Sequence, residues 1–458
     1  MGDLARRLTT AATLVALVAG LAPAQSTPVF RTRRFVRSVS RDPFAGAAGS
    51  EADTQVEPDI AVDPNDPSVV VAVFQQGRFA ADGGSVDPGF ATSHDSGRTW
   101  TTGNLPGLTT AVGGAFERAS DPAVAIGPDG AVYAQALVID VSDCRSGVAV
   151  QRSDDGGLTF GAPVLVQDDS CGASNDKNWI AVDGFPASTH YGRLYSAWDR
   201  ETGSAPIVLR YSDDRGATWS PLVVVSDGVS VASGIGALPL VQPNGDVTIV
   251  YEAYSPGPAR EVAQTSHDGG AHFDVPVTVA DFEGTGVPGM RTGTGLPAAA
   301  LDPVTGALHV VWPDGRFRTD GLNDVVLSTS VDGGGTWSAP RFVNQDGAVR
   351  RANHFTPAVA ARGGIVLVGF RTLGADSTRV DMRWVVSTDG GATFGRERRL
   401  GRRSDNRFAA TSGTDAFLGD YMGLALSADA AHAVWCTASR PPAGGTRHQT
   451  AWSATIRR

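Results

Sequence analysis

The chain has 458 residues, of which 48 are aspartate or glutamate and 38 are lysine or arginine, so its formal net charge at pH 7 is −10. This acidic balance argues against a nucleic-acid partner, because nucleic-acid phosphates require a basic protein surface. After the N-terminal residues, no segment supplies the roughly 18 uninterrupted apolar residues of a membrane span. The 56 glycines and 27 prolines are typical of an all-β chain with many tight turns.

The N-terminus has the pattern of a secretory signal peptide. Two arginines precede the apolar run LTTAATLVALVAGLA, and the small residues Ala-Pro-Ala end at Ala24. We therefore expect residues 1–24 to be cleaved and residues 25–458 to form one domain. The mature protein is expected to be extracellular or periplasmic, and monomeric.

The rest of the chain repeats one order of elements: an apolar strand, a Gly/Asp turn, a second apolar strand, a long loop, a third strand, a turn and a fourth strand. The first strands read EPDIAVDP from Glu57, SDPAVAIGPDG from Ser120, NWIAVDG from Asn178, ALPLVQPNGD from Ala237, LPAAALDP from Leu296, TPAVAARGG from Thr356 and LGDYMGLALSADA from Leu418. The second strands read VVVAVFQ, AVYAQALV, RLYSAWD, VTIVYEAY, ALHVVWPD, IVLVGFR and HAVWCTAS. Repetition at this length indicates a radial or stacked array.

Six of the repeats contain the pattern Ser-x-Asp-x-Gly-x-Thr-aromatic between the third and fourth strands. The six boxes begin at Ser93, Ser153, Ser212, Ser266, Ser330 and Ser387, and His272 replaces the threonine in the fourth box. In this pattern the carboxylate can accept backbone N–H groups across the turn, and the glycine can take a positive φ. We therefore assign the six aspartates a structural role.

These boxes resemble those of the sialidase-type β-propellers, the BNR or Asp-box repeat proteins. The resemblance implies a propeller of four-stranded antiparallel blades. The repeat count favours seven blades, and six blades with a peripheral hairpin is the alternative. The seventh repeat has no box and no fourth strand, and the segment Val29–Ser40 could supply that strand and close the ring.

In a propeller, the starts of the first strands and the ends of the second strands lie on one face, around the mouth of the central channel. The first-strand positions are Glu57, Ser120, Asp121, Asp176, Lys177, Arg291, His354, Asp420 and Tyr421, and the second-strand positions are Gln76, Arg78, Asp140, Asp199, Arg200, Glu252, Asp314, Arg316, Arg371 and Arg440. Arginines can bind a carboxylate bidentately, and paired acids can serve glycosidic-bond cleavage. This mouth suits an acidic sugar.

The resemblance also implies catalytic roles at the mouth. Sialidases use a tyrosine nucleophile activated by a glutamate, an aspartate acid/base and an arginine triad. On this chain those roles would fall to Tyr421 as nucleophile, Glu252 as its base and Asp121 as the acid. The clamp would be Arg78, Arg316 and Arg371. Asp420 is a further catalytic candidate, and Arg200 and Glu57 are further substrate-binding candidates. The Phe-Arg-Ile-Pro element that carries the first sialidase arginine is absent.

Three cysteines in an exported chain suggest one disulfide and one free thiol. Cys144 and Cys171 flank the second repeat in loops, whereas Cys436 lies in an apolar strand, so we predict a Cys144–Cys171 bond and a buried Cys436. The acidic residues Asp168, Asp169 and Asp176 could bind a structural calcium ion, or could form a solvated loop. No cofactor is expected to be required.

The Asp boxes and the charged mouth favour an exported, sialidase-like glycoside hydrolase that acts on a terminal acidic sugar. Two alternatives use the same mouth: a non-catalytic propeller that binds glycan or protein, and a polysaccharide lyase or endo-acting hydrolase. A shared fold does not choose among them.

Overall fold

The computed structural model describes residue 30 and residues 34–44, 46–255, 257–345, 351–376 and 378–457. The predicted signal peptide lies outside the described residues. Almost all regular structure in this part of the chain is β-strand, with short 3-10 turns at Thr110–Val112 and Asn406–Phe408. None of the described helices is long and apolar enough to cross a membrane.

The strands form successive antiparallel units, numbered here in chain order. Unit 1 comprises β2 (Glu51–Val62), β3 (Val70–Arg78), β4 (Ser85–Ser93) and β5 (Thr101–Asn104); unit 2 comprises β6 (Arg118–Ile126), β7 (Val132–Asp140), β8 (Arg145–Ser153) and β9 (Val164–Asp169). Unit 3 comprises β10 (Ser174–Val182), β11 (Leu194–Glu201), β12 (Ile207–Ser212) and β13 (Val223–Val224); unit 4 comprises β14 (Ser233–Val241), β15 (Val247–Ser255), β16 (Arg260–Ser266) and β17 (Val277–Asp281). In each unit, consecutive strands pair with one another.

The later units follow the same order with small additions. Unit 5 comprises β18 (Ala298–Leu301), β19 (Leu308–Asp314), β20 (Asp324–Ser330) and β21 (Arg341–Phe342); unit 6 comprises β22 (Asn353–Arg362), β23 (Ile365–Leu373), β24 (Arg379–Ser387), β25 (Arg398–Arg399) and β26 (Ser404–Asp405). A hairpin of β27 (Ala410–Ser412) and β28 (Asp415–Phe417) precedes unit 7, which comprises β29 (Gly423–Leu426), β30 (Ala430–Ala438), β31 (Gln449–Arg457) and, from the N-terminus, β1 (Arg34–Ser38). The strands thus form the all-β, four-stranded antiparallel sheets that the sequence predicts.

The second strand of each unit lies inside its sheet, and its large apolar side chains form much of the core. Trp198 of β11 and Trp312 of β19 have no exposed surface, and Trp435 of β30 is 2% exposed. Their neighbours come from adjacent units, so each sheet packs face to face on the next. Burial of side chains of this size contributes strongly to the stability of the stacked sheets.

The Asp boxes are the turn staples that the sequence predicts. In the first box, Asp95 Oδ1 accepts hydrogen bonds from the backbone N–H groups of Arg98 and Thr99, both at 2.9 Å, and Oδ2 accepts the Thr99 hydroxyl at 2.7 Å. Burial would raise the pKa of Asp95, but these bonds lower it to about 2. In the fourth box, His272 Nδ1 lies 2.7 Å from Asp268 Oδ2 and takes the place of the threonine hydroxyl.

The two ends of the described chain meet in unit 7. The strand β1 pairs antiparallel with β31, from Arg34 opposite Ile456 to Ser38 opposite Trp452, within the segment predicted to supply the fourth strand. Each first strand also contacts the first strand of the next unit, in the order β2, β6, β10, β14, β18, β22 and β29. The last of these, β29, contacts β2 again, so the succession is cyclic. This arrangement is consistent with a propeller.

Candidate functional site

The first strands of units 1, 2, 3, 4 and 6 are interrupted by a bulge at the same place, and in units 1, 2 and 3 the bulged residue is charged. The pairing with the second strand shifts between Val56 and Asp59 in β2, and corresponding shifts occur in β6 and β10. At these bulges Glu57, Asp121 and Lys177 have φ angles of 51°, 46° and 47°. A positive φ costs a residue with a β-carbon about 1–3 kcal/mol, and such strain is concentrated at functional sites. The bulges bring three charged side chains together.

Lys177 lies at the centre of this group. Its Nζ is 2.8 Å from Asp420 Oδ2, 3.2 Å from Asp121 Oδ2 and 3.4 Å from Glu57 Oε1, and the lysine side chain is only 8% exposed. Burial alone would lower the pKa of Lys177, but Asp121, Asp420 and Glu57 together raise it well above its usual value. We call Glu57, Asp121, Lys177, Asp420 and Tyr421 the central cluster.

Asp420 is held by two cations. Arg291 Nη1 donates to the same Oδ2 atom as Lys177, while Oδ1 is buried without a hydrogen-bond partner among the described residues. Burial would raise the pKa of Asp420, but Lys177 and Arg291 hold it below its usual value. The preceding Gly419 has a φ of 100°, and a β-carbon there would lie 2.6 Å from the backbone nitrogen of Glu57. Only glycine lets this segment approach β2 so closely.

Glu57 is the member of the cluster that changes protonation near neutral pH. Burial and the neighbouring Asp121 raise its pKa to about 7, although Lys177 acts in the opposite direction. Gln75 Nε2 donates to Glu57 Oε2 and also lies 3.0 Å from Ser120 Oγ, so the amide fixes the carboxyl group. A general acid or base works best when its pKa is near the working pH. Glu57 fits that role.

Tyr421 packs on the edge of the cluster. Its hydroxyl donates a 3.0 Å hydrogen bond to the backbone oxygen of Pro122, and its ring lies edge-on to Trp179 with the ring centres 5.2 Å apart. Burial, followed by the charges of Asp121 and Glu57, raises the pKa of Tyr421 well above its usual value. The phenol is therefore protonated in this arrangement, and it can act as a nucleophile only if a carboxylate takes its proton.

Three arginines surround the segment that leads into Asp420. The guanidinium groups of Arg78 and Arg291 lie 4.7 Å and 4.8 Å from the centre of the Phe417 ring, respectively. Arg371 is 2% exposed and donates from Nη2 to the backbone oxygen of Leu418 at 2.6 Å. Burial lowers the pKa of Arg371 to about 10. Arg78 and Arg371, two of the predicted clamp residues, thus lie beside the cluster.

Other candidates from the sequence lie in separate contacts. Arg316 forms an ion pair with Asp314, and Arg200 pairs with Asp169 in a two-pronged contact. Glu252 is paired across the sheet with Glu261, and burial raises its pKa to about 7. These contacts place Arg316 and Arg200 in other ion pairs and Glu252 beside another acid. Tyr421 is not among the groups that shift the pKa of Glu252.

Sequence reasoning placed Arg291 and Lys177 near the mouth but gave neither a role. Their pairing with Asp420 becomes visible only in three dimensions. Two more acids were placed at the mouth without a catalytic role: Asp176, considered only for calcium, and Asp199, which lies opposite it on β11. Burial raises the pKa of Asp176 to about 6 and raises the pKa of Asp199 well above its usual range. They form a second acidic pair next to Lys177.

The predicted disulfide is present. Cys144 and Cys171 are bonded, with Cα atoms 4.9 Å apart, and Cys436 is a buried free thiol. Two of the three acidic residues considered for calcium are paired with arginines, Asp168 with Arg145 and Asp169 with Arg200, whereas Asp176 accepts the backbone N–H of Lys177. Within the described ranges, no group of three or more His, Cys, Asp or Glu side chains is arranged to hold a metal ion.

Comparison with known proteins supports the repeat and the fold. A polysaccharide lyase, an ulvan lyase bound to a GlcA(1-4)Rha3S glycan, is similar with a TM-score of 0.53 and 14% identity over 88% of this chain and 94% of that one. The endosialidase of phage phi92 is similar with a TM-score of 0.51 and 11% identity over 93% of this chain and 69% of that one. A protein of unknown function from Dyadobacter fermentans has a TM-score of 0.50 and 14% identity, covering 92% and 99% of the two chains. At these identities the likeness shows the fold alone.

A search of curated protein sequences found no match. The BNR/Asp-box repeat family matches residues 210–221, which contain the third box. This match confirms the resemblance to the sialidase-like BNR/Asp-box repeat proteins that the six boxes predicted.

Proposed function

We propose that this chain is a seven-bladed, glycan-active propeller that hydrolyses a terminal acidic sugar at the central cluster, as an exo-α-sialidase does. The convergence of Tyr421 with two carboxyl groups and two arginines at one buried, strained point carries this proposal. The cyclic contacts of the first strands, and the pairing of β1 with β31, support seven blades in a closed ring. Two proteins of similar fold, the ulvan lyase and the phage endosialidase, are described as acting on glycans.

In the proposed reaction, Arg78 and Arg291 orient the carboxylate of the sugar. Guanidinium groups suit this task because their planar forks match a carboxylate and keep their charge at every working pH. Both cations already face one aromatic ring, which fixes their planes. The sugar carboxylate would then lie near Asp420, the anion with which Arg291 is paired.

Tyr421 would attack the anomeric carbon, and Glu57 would take the phenolic proton. The resemblance assigned that base role to Glu252, but the charges that shift the pKa of Tyr421 include Glu57 and not Glu252. A pKa of about 7 leaves a substantial fraction of Glu57 ionised and able to accept a proton at neutral pH. Asp121 would protonate the leaving oxygen, as predicted from the sequence. Asp420 would position Lys177 and Arg291.

A non-catalytic binding propeller is the second candidate, and one observation favours it. Lys177 and Arg291 are already paired with carboxylates inside the protein, so the cluster can be read as an ion network that joins the units. Two further alternatives use the same mouth: a polysaccharide lyase would cleave the bond by elimination, and an endo-acting hydrolase would require a longer glycan.

Turnover of a fluorogenic sialoside panel, together with glycosides of other acidic sugars, tests the proposal. We expect hydrolysis by the unaltered protein, loss of at least a hundredfold in Tyr421→Phe and Glu57→Gln, and full activity in Tyr191→Phe. Tyr191 is the matched control because its side chain is 51% exposed. If no glycoside of the panel is hydrolysed, the proposal of an exo-acting hydrolase is refuted. If Tyr421→Phe turns over substrate as fast as the unaltered protein, the assignment of Tyr421 as the nucleophile is refuted.

We further propose that the protein is exported after cleavage behind Ala24, is monomeric and needs no cofactor. N-terminal sequencing of the secreted protein should begin at Gln25, and light scattering should give the mass of one chain. Activity should survive dialysis against EDTA. A requirement for added calcium would revive the alternative of a structural calcium site.

A further inference from the structure

A second set of arginines surrounds a cavity of about 420 Å³ at one end of unit 6. Its lining includes Arg351, Arg379, Arg383 and Arg403, together with Thr372. This volume lies in the range of small-ligand sites, roughly 300–1,000 Å³. We call it the arginine cavity. Four arginines lie around this cavity although the chain as a whole has a net charge of −10.

One buried carboxylate organises the arginines. Asp381 is 6% exposed, and its Oδ1 lies 2.8 Å from Arg403 Nε and 3.8 Å from Arg399 Nη1. Its Oδ2 lies 3.4 Å from Arg383 Nη2, while Arg383 Nη1 reaches Glu397 Oε2 at 3.0 Å. A guanidinium carries five N–H donors and a carboxylate offers about four acceptor positions. Arg383 and Arg403, the two arginines of the cavity lining that contact Asp381, therefore have more donors than this carboxylate can accept.

Two arginines of the lining have no such partner. Arg351 and Arg379 are exposed and form no ion pair within 4 Å with any residue that the structure describes. Arg383 Nε is buried and lacks a hydrogen-bond partner in the same part of the chain. Asp376 and Asp381 also line the cavity, and Arg379 acts electrostatically on Asp405. The four lining arginines still outnumber the two lining carboxylates, and such an excess of guanidinium groups is the chemistry that binds carboxylate or sulfate groups.

One strand, β23, contributes a residue to the arginine cavity and another residue to the surroundings of the central cluster. Arg371 and Thr372 are consecutive in β23, and successive side chains of a strand point to opposite faces. Arg371 reaches Leu418, next to the central cluster, while Thr372 lines the cavity. Both sites therefore share β23, with Arg371 and Thr372 on opposite faces of its sheet.

We propose that the arginine cavity binds an anionic group, a carboxylate or a sulfate, of an acidic polysaccharide. The choice of a polysaccharide rests on the proposed glycan activity, whereas the anion chemistry rests on the cavity itself. The cavity would act as a subsite that holds a polymer and would contribute little to the binding of a single sugar.

Equilibrium binding of three polymers to the full chain tests this proposal: hyaluronan for carboxylates, dextran sulfate for sulfates and dextran as the neutral reference. The test variant is Arg351→Gln with Arg379→Gln, because neither residue holds a buried partner. The control is Arg98→Gln, an exposed arginine in the first Asp box. We expect at least one anionic polymer to bind, dextran not to bind, the double variant to bind about tenfold or more weakly, and the control to stay within twofold.

Equal affinity in the double variant and the unaltered protein would overturn the proposal, as would the absence of binding to both anionic polymers in 50 mM salt. If only one polymer binds, and the variant loses it, the result identifies the group that the cavity takes. Turnover of a small sialoside should stay within twofold in the double variant. The two failures can therefore be distinguished. Absence of turnover would count against the proposed function of the central cluster, and absence of polymer binding would count against the arginine cavity.

Discussion

Replacement of Lys177 by methionine removes the one cation that joins three carboxylates. Glu57, Asp121 and Asp420 are 2%, 5% and 0% exposed at their side chains, so none can find water in place of the ammonium group. Breaking a buried ion pair by removing one partner typically costs about 3–5 kcal/mol, because the remaining charge stays buried. Methionine has a similar length, so little of the loss should come from packing.

The loss of unfolding free energy in Lys177→Met is expected to depend on pH. The raised pKa of Glu57 decides whether that loss is larger at high or at low pH. An acid whose pKa is raised in the folded state binds its proton more tightly there, so it stabilises the folded state as pH falls from about 7 toward its unfolded value near 4.5. In Lys177→Met the carboxylates can escape their burial only by taking protons. The gap in unfolding free energy between the two proteins should therefore be about 3–5 kcal/mol at pH 8 and smaller at pH 5.

Thermal unfolding followed by circular dichroism at pH 8 and pH 5 measures both effects. For a chain of this size, 1 kcal/mol corresponds to about 1 °C in Tm, so the variant should melt about 3–5 °C lower at pH 8. The control is Arg407→Met, since Arg407 is 62% exposed and its pair with Asp405 should be worth less than about 1 kcal/mol. An unchanged Tm at pH 8, or a gap that widens at pH 5, would refute the reasoning.

Three further changes test other parts of the fold. Asp389→Ala removes the staple of the sixth box and should lower stability by about 1–2 kcal/mol in denaturant unfolding, while Asp376→Ala on an exposed loop should not. Replacing Cys144 and Cys171 by serine opens a loop of 27 residues and should cost about 3–4 kcal/mol, an effect that a reducing agent should reproduce in the unaltered protein. Gly419→Ala should abolish turnover and lower Tm, since its β-carbon would strike Glu57; normal turnover would contradict that contact.

The repeated elements could be predicted because they depend on neighbours in sequence. Each Asp box is complete within eight residues, and its hydrogen bonds run between positions that the pattern itself contains, as Asp95 and Thr99 show. The second strands could be predicted for the same reason: residues 70–75 of the segment VVVAVFQ lie in β3, all of whose residues are buried. The N-terminal strand was predicted from what the seventh repeat lacked, and β1 does pair with β31.

The partners within the site could not be predicted, because they depend on the bulges. A shift of one residue in strand register moves every following side chain to the opposite face. The sequence around Glu57 does not indicate that shift in register. The sequence could therefore place Glu57 and Glu252 at the same rim, but it could not show which of them is the better candidate for the catalytic base. The structure places Glu57 beside Lys177 and Glu252 opposite Glu261. For the same reason, the sequence analysis assigned Arg316 and not Arg291 to the carboxylate clamp.

The central cluster also gives a physical reason for a lysine at position 177 in a chain so rich in arginine. Lys177 is the only lysine among 38 basic residues, and it lies where units 1, 2, 3 and 7 meet. An ammonium group has three donors that diverge from one atom, and here three carboxylates approach that atom from three units. The planar fork of an arginine suits one carboxylate and could not serve three from different directions. Because Asp420 comes from the last unit and Glu57 from the first, the cluster forms only when the ends of the chain have come together, and this ties the proposed active site to completion of the fold.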